Sequence, residues 1–200
     1  MATQHIDPIA AERVSDDGQE RNLVLAAQRG DTRALRELYE AYRERVWRLV
    51  VYSIGDPLQA QDVLQTVFLK VFRGLKNFRF RSALATWIYR IAHNECQDHH
   101  RRRVVPQVPL ETILGSSGEA DARRISEDEH ARRERQLIIQ GAVMQLSLKL
   151  RTVVVLKYVE GLSYREMSRV LGCAPGTVAS RLNRALAELE ERLRPFRGIL

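Results

Sequence analysis

The chain has 200 residues, with 32 Lys and Arg against 25 Asp and Glu, and 44% of its residues are hydrophobic. This composition is typical of a globular protein with one domain or two small ones, and it argues against wholesale disorder. No apolar run approaches the roughly 20 residues that cross a bilayer, and the acidic first residues do not resemble a secretory signal, so we expect neither feature. Only two cysteines are present, which excludes a disulfide scaffold and favours the cytoplasm.

The charge of the chain falls into four segments. Residues 1–19 have a net charge of −3 and are predicted to form a disordered acidic tail. Residues 20–103 carry +7, residues 104–134 carry −3, and residues 135–200 carry +6. Two basic blocks are typical of a protein with a polyanionic partner, most often nucleic acid, although well-solvated helical surfaces would give the same pattern.

The first basic block, residues 20–103, has helical spacing throughout. Apolar residues recur every three to four positions over 34–50, 63–75 and 84–92, and Gly55-Asp56-Pro57 separates the first two stretches. Strand-like alternation is absent from the sequence of this block. The pattern therefore predicts a small all-α bundle.

Residues 104–134 are predicted to form a flexible acidic linker. Pro106 and Pro109 interrupt any helix that leaves the first block, and a Gly-Ser stretch and a mostly charged segment follow. The acidic part over 119–134 could also begin the next helix.

The second block, residues 135–195, contains the pattern of a helix-turn-helix. Ser163 and Glu166 have the spacing of a capping box, in which each side chain binds the other residue's backbone N–H. Gly172 can adopt the left-handed conformation that ends a helix, and Pro175 suits the first turn of the next one.

The second helix of this motif is amphipathic. Val178, Leu182 and Leu189 share its apolar side, while hydroxyl, amide and guanidinium groups are directed away from it. Such a helix fits the major groove of DNA, where its side chains reach base edges or phosphates. We expect DNA contacts from Thr177, Ser180, Arg181, Asn183 and Arg184.

Four motifs, in a fixed order over residues 20–195, resemble the extracytoplasmic-function sigma factors, the small two-domain class (group 4) of the sigma-70 family. Residues 161–166 and 176–185 are similar to region 4 of that family, and residues 62–70 and 78–94 are similar to region 2. The resemblance implies a region-2 helical bundle and a region-4 helix-turn-helix domain. It also implies an RNA polymerase sigma factor, which binds core RNA polymerase and directs promoter-specific transcription initiation.

The resemblance assigns expected roles to individual residues. Region 4 would read the −35 element, and region 2 would melt and capture the −10 element, with Asn94 lining the pocket for a flipped base. The expected −10 contacts are Phe78, Arg79, Phe80, Arg81, Ser82, Trp87, Arg90, Asn94 and Arg101. The expected contacts to the coiled coil on the clamp of the largest polymerase subunit are Asp62, Gln65, Phe68 and Lys70. The family also implies an anti-sigma factor as a partner, and it implies neither a cofactor nor a metal.

Three residues of the region-2 motifs depart from the family pattern. Thr66 stands where an acid usually follows the glutamine, which removes a charge from the expected polymerase-facing surface. Phe80-Arg81 replaces a common Gly-Asp in the loop that captures the base, and this predicts an altered −10 base preference.

Other classes of protein remain as alternatives. A free-standing helix-turn-helix regulator would bind duplex DNA alone, as a dimer. A metal sensor could use His93, Cys96 and His100, which share one side of a helix. The sequence has no phosphate loop, zinc-protease motif or nucleophile elbow, so we do not expect an enzyme.

Overall fold

The computed structural model describes residues 8–102 and 127–199, with side chains described for residues 18–102 and 131–199. Within these ranges every regular element is helical, which confirms the predicted all-α class. In chain order the helices are α1 (Pro8–Gln28), α2 (Thr32–Ile54), α3 (Pro57–Leu75), α4 (Leu84–Arg102), α5 (Glu127–Met144), α6 (Leu148–Val154), α7 (Tyr164–Leu171) and α8 (Pro175–Leu193). One π-helical turn, Val155–Val159, continues α6, and a 3₁₀ turn, Arg194–Phe196, follows α8.

The first domain consists of α1 to α4, and local capping sets its helix boundaries. Asp31 caps α2 by accepting hydrogen bonds from the backbone N–H groups of Arg33 (2.8 Å) and Ala34 (3.2 Å). Gly55 ends α2 in the left-handed conformation (φ 81°), and Asp56 then caps α3. These caps form the break that the sequence predicts between the two helices.

The second domain consists of α5 to α8 and contains the predicted helix-turn-helix. The Ser163–Glu166 capping box begins α7, and Gly172 ends it at φ 63°. Pro175 lies in the first turn of α8, where the preceding Ala174 provides no side-chain cap. The local sequence therefore determined both helices of the motif and the turn between them.

Two predicted segments differ from the structure. Residues 1–19 are predicted as a disordered tail, but α1 begins at Pro8 and continues into the apolar residues that pack on the bundle. Likewise α5 begins at Glu127, inside the predicted linker, as the alternative for its acidic part allowed. Residues 1–7 and 103–126 lie outside the described residues.

The two domains pack against each other. Helices α2 and α4 of the first domain contact α6, the π-helical turn and α7 of the second. Buried apolar side chains of both domains belong to one continuous cluster.

Candidate nucleic-acid and polymerase interfaces

Helix α8 presents an apolar side to the second domain and a polar side away from it. Val178 and Leu182 are buried, as the amphipathic pattern predicts. Ser180, Asn183 and Arg184 are exposed, whereas Thr177 is only half-buried. The exposed side chains provide a hydroxyl, an amide and a guanidinium on one surface, which is the set that reads base edges in a major groove.

Two of these polar groups already make local contacts. The Ser180 hydroxyl donates to the carbonyl of Thr177 at 3.1 Å, and Arg184 pairs with Glu188 at 3.2 Å, one turn further along the helix. Both contacts lie at the surface, where an i,i+4 ion pair contributes only about 0.3–0.5 kcal/mol. DNA can therefore replace them at little cost.

Arg181 lies at the boundary between the two domains. It is half-buried, and its guanidinium donates to the thiol sulfur of Cys173 at 3.7 Å. Its positive charge also acts on His93 of α4. The predicted −35 surface therefore meets the helix that carries the predicted −10 residues.

The environment of His93 makes stability depend on pH. Burial, with a smaller contribution from the charge of Arg181, lowers the pKa of His93 to about 4. The folded protein holds this imidazole neutral, whereas the unfolded chain protonates it near pH 6.5. As the pH falls from about 6.5 towards 4, we expect unfolding free energy to decrease by up to about 3 kcal/mol relative to His93→Gln. Urea titrations of both proteins at several pH values measure this difference. Parallel pH profiles would contradict it.

The predicted −10 residues of α4 lie on an accessible surface. Arg90, Asn94 and Arg101 are exposed, and Arg101 pairs with Asp98 at 2.6 Å. Trp87 is half-buried and packs against Gly74 of α3, where an added Cβ would meet its ring at 3.0 Å. The α4 surface thus combines positive charge with an amide, which suits a DNA strand and an unpaired base.

The loop between α3 and α4 carries an aromatic cluster. Phe78 is buried, and its ring lies 5.1 Å from the rings of both Phe80 and Trp87. The buried Phe78 ring supports the loop and is not accessible in this structure. Arg79 and Arg81 are exposed, and Ser82 is half-buried. The loop therefore presents mainly its arginines to a ligand.

Phe80 adopts a backbone conformation that favours glycine. Its φ is 55°, and it is the one non-glycine residue with a positive φ in the described part of the chain. The family's glycine at this position would enter that conformation without strain. In this chain, position 80 adopts this positive-φ conformation although it carries the large side chain of phenylalanine.

Helix α1 holds this loop in place through two residues that the sequence did not reveal. The side-chain amide of Gln28 donates to the carbonyls of Leu75 (3.0 Å) and Phe78 (2.8 Å). The guanidinium of Arg21 lies 4.3 Å from the centre of the Phe80 ring, a cation–π contact. Both interactions link residues far apart in sequence, so no local motif signals them.

The residues predicted to contact polymerase differ in their exposure to solvent. Asp62 and Gln65 are exposed on α3, and Lys70 is about half-exposed while paired with Glu95 of α4. Phe68 is buried, and its ring packs edge-on against Tyr39 at 4.7 Å. Helical periodicity thus places Phe68 in the core, so that in this structure it supports the α3 surface and is not itself accessible.

Helix α3 also carries an exposed stripe that mixes apolar and polar side chains. Leu58 and Leu69 are 78% and 50% exposed, and with Asp62 and Gln65 they follow one side of the helix. We call Leu58, Asp62, Gln65 and Leu69 the α3 stripe. Two exposed leucines on the side of the helix that carries Asp62 and Gln65 add apolar area to the surface predicted to bind polymerase.

The geometry around Cys96 does not assemble a metal site. Among the described residues no group of three or more His, Cys, Asp or Glu side chains could hold a metal ion. Burial raises the pKa of the Cys96 thiol to about 12, which disfavours the thiolate that metals bind. His100 instead contacts the carbonyl of Ser53 at 2.8 Å. In the described residues, no helix is long and apolar enough to span a membrane.

Comparison with known proteins identifies the family of the chain. Residues 38–104 match the family model of sigma-70 region 2, and residues 136–189 match that of sigma-70 region 4. The RNA polymerase sigma-H factor of Pseudomonas aeruginosa is 37% identical over 184 residues, which cover 89% of this chain and 95% of that protein. The ECF RNA polymerase sigma-E factor of Haemophilus influenzae is 31% identical over 193 residues, covering 93% and 99%.

A solved structure supports the same assignment. CnrH, in complex with the cytosolic domain of CnrY, superimposes with a TM-score of 0.63 at 25% identity, covering 88% of this chain and 97% of CnrH. The matches to both regions, their order along the chain and the near-full-length relatives all indicate the same family. The chain therefore belongs to the extracytoplasmic-function group of the sigma-70 family of RNA polymerase sigma factors.

Proposed function

We propose that this sigma factor binds core RNA polymerase through the α3 stripe, reads the −35 element with α8, and captures the opened −10 element with α4 and the loop before it. The main observation behind the proposal is that these surfaces lie on different helices. The apolar-containing stripe lies on α3, whereas the exposed arginines and amides lie on α4 and α8. Protein and DNA contacts therefore need not compete for the same side chains.

The −35 contacts we propose come from Ser180, Asn183 and Arg184, with Thr177 and Arg181 joining once the domains separate. The −10 contacts come from Arg90, Asn94 and Arg101 on α4 and from Arg79, Arg81 and Ser82 in the loop. Phe80 and Trp87 would provide stacking surfaces for unpaired bases. The role of the chain is recognition, and polymerase supplies the chemistry.

An anti-sigma factor is the second partner we propose, as membership of the family implies, and the similar CnrH was solved in complex with another protein, the cytosolic domain of CnrY. A cytoplasmic location is part of the same proposal, since both cysteines are free thiols.

The proposal is tested by mixing the purified protein with bacterial core RNA polymerase and separating the mixture by size-exclusion chromatography. We expect co-elution as a one-to-one complex, followed by run-off transcription from a promoter library. Elution apart from polymerase, combined with tight binding to duplex DNA as a dimer, would support a free-standing regulator instead.

Leu69→Asp is expected to weaken polymerase binding by at least about tenfold, because it replaces one of the two exposed leucines of the α3 stripe with a charge that must lose water on binding. Leu69 is 50% exposed, so the free protein should keep its fold. Phe196→Asp, at a comparably exposed position outside both family matches, provides the control. Titration of labelled protein with core polymerase measures both affinities, and equal values for the two variants would argue against the α3 stripe.

A further inference from the structure

Helix α1 is fixed to the first domain on both sides of Arg21. Val24, one turn further along, is fully buried in the bundle. Glu20 accepts a hydrogen bond from the Tyr42 hydroxyl of α2, and burial raises the pKa of Tyr42, so its phenol stays protonated and remains a donor. At the end of the helix, the Gln28 amide donates to two backbone carbonyls where α3 ends and the following loop begins. The backbone of Arg21 therefore has a fixed place beside the loop.

The side chain of Arg21 is the outer member of the aromatic cluster in this loop. Its guanidinium carbon lies 4.3 Å from the centre of the Phe80 ring. The Phe80 ring in turn packs edge-on against Phe78 at 5.1 Å. Phe78 is buried, Phe80 is half-buried and Arg21 is exposed. The series thus runs from the core of the bundle to the solvent and ends in a guanidinium.

The backbone of Phe80 indicates that this cluster is a preformed surface. Its φ of 55° is unfavourable for a residue with a side chain. Such conformations persist where surrounding contacts hold them, and they cluster at ligand-binding sites. Here the hydrogen bond from Gln28 to the Phe78 carbonyl and the ring contacts with Phe78 and Arg21 hold the loop. The energetic cost at Phe80 is therefore met by a binding surface that needs no rearrangement.

A guanidinium in this position can stack on a nucleobase. It is planar and weakly hydrated, and it stacks on aromatic rings and on unpaired bases alike. The ammonium group of lysine has the same charge but no planar face. Arg79 and Arg81, both exposed in the same loop, provide positive charge for the phosphates of the strand. Arg21 can therefore hold a base while its neighbours hold the backbone.

Resting on the proposed function, we propose that Arg21 is a further −10 contact, which covers the Phe80 ring and stacks on the unpaired base that the loop captures. The Phe80 ring acts through the guanidinium that it positions. Arg21 lies outside the match to the region-2 family model, which begins at residue 38. Capture of the base thus depends on a helix that the region-2 motifs do not include.

The test compares polymerase complexes formed with wild type, Arg21→Ala and Arg21→Lys. Each complex is titrated with a single-stranded oligonucleotide that carries the −10 sequence selected in the promoter library. We expect both variants to bind it about tenfold more weakly, which is the size of one base-stacking contact. Arg33→Ala, which removes an exposed arginine from the first turn of α2, is the matched control and should bind like wild type. Thermal unfolding verifies that the variants keep the fold.

Oligonucleotides with a single abasic site identify the base that stacks on Arg21. Removing that base should weaken binding by wild type about tenfold and leave binding by Arg21→Ala unchanged, because this variant has no stacking contact to lose. Wild-type affinity in Arg21→Lys would overturn the stacking contact, since charge alone would then be sufficient. Equal losses in wild type and Arg21→Ala at every abasic position would overturn it as well.

The same experiment separates this inference from the proposed function. A wild-type protein that does not bind polymerase would overturn the proposed function, and the Arg21 contact with it. If wild type forms an active polymerase complex and Arg21→Ala binds the oligonucleotide as tightly or more tightly, only the Arg21 contact is overturned.

Discussion

Replacing Asn183 and Arg184 together by alanine is expected to lower transcription from a −35-dependent promoter by about a hundredfold. Both side chains are exposed on the outer side of α8. A well-placed base-edge contact contributes about 1–3 kcal/mol, and the loss of two such contacts gives a factor of this size. The measurement is run-off transcription with saturating core polymerase, so that recruitment is not limiting.

Stability should change little in this double variant. Arg184 is paired only with Glu188, on the exposed surface, and neither substituted side chain belongs to the apolar core. Arg197→Ala is a suitable control, because Arg197 is also exposed and paired with a glutamate, Glu190, but lies beyond α8. Equal loss of transcription in the control and the double variant would mean that positive charge in general, and not α8 specifically, is responsible.

Changing Phe80-Arg81 to Gly-Asp is expected to change the relative transcription from promoters with different −10 bases by about tenfold or more. The substitution removes an aromatic surface and reverses an exposed charge within the loop. A charged side chain that contacts a base edge discriminates between bases by roughly 1–3 kcal/mol, so reversing its charge should change the preferred base. The −35 preference should not change. Transcription from a library randomised at the −10 element measures the preference, and an unchanged preference would contradict the proposal.

The swap is expected to lower the free energy of unfolding by no more than about 2 kcal/mol, because one gain partly offsets two losses. Glycine relieves the positive φ of Phe80, a gain on the order of 1 kcal/mol. It also removes the cation–π contact with Arg21 and the ring contact with Phe78, each contributing about 0.5–1.5 kcal/mol. The swapped protein should therefore fold, and a changed preference will report on the loop itself.

The role of Arg21 follows from the same geometry. Because its guanidinium covers one face of the Phe80 ring, Arg21→Ala should shift the preference in wild type but have no further effect once Phe80 is glycine. Additive effects in the two backgrounds would instead indicate an independent contact of Arg21 with DNA.

The sequence by itself determined the helices, the helix-turn-helix and the family. The Ser163–Glu166 capping box, Gly172 and Pro175 act within a few residues of the boundaries they set, so their effects can be predicted without any tertiary contact. The apolar side of α8 was equally clear, since a period of 3.6 residues fixes which side chains share a surface. The motifs of regions 2 and 4 identified the protein class on the same local basis.

Tertiary structure alone decided which members of a motif are accessible. Phe68 and Phe78 belong to family motifs, yet both are buried, because each lies on the side of its segment that packs against the bundle. Arg21 and Gln28 reach the loop from a helix some 50 residues earlier, a proximity that no local spacing encodes. Motif membership therefore does not distinguish a binding side chain from one that supports it.

The relation between the two domains was likewise invisible in the sequence. Glu160 is separated from Arg45 by 115 residues, and nothing near either residue marks them as partners. Capping, helical period and turn chemistry act over a few residues, and the sequence reveals them directly. Burial and long-range ion pairing depend on how the formed helices pack together. For this reason only the tertiary structure reveals the ion pairs of Glu160 with Arg45 and Arg48, the supported loop and the exposed α3 stripe.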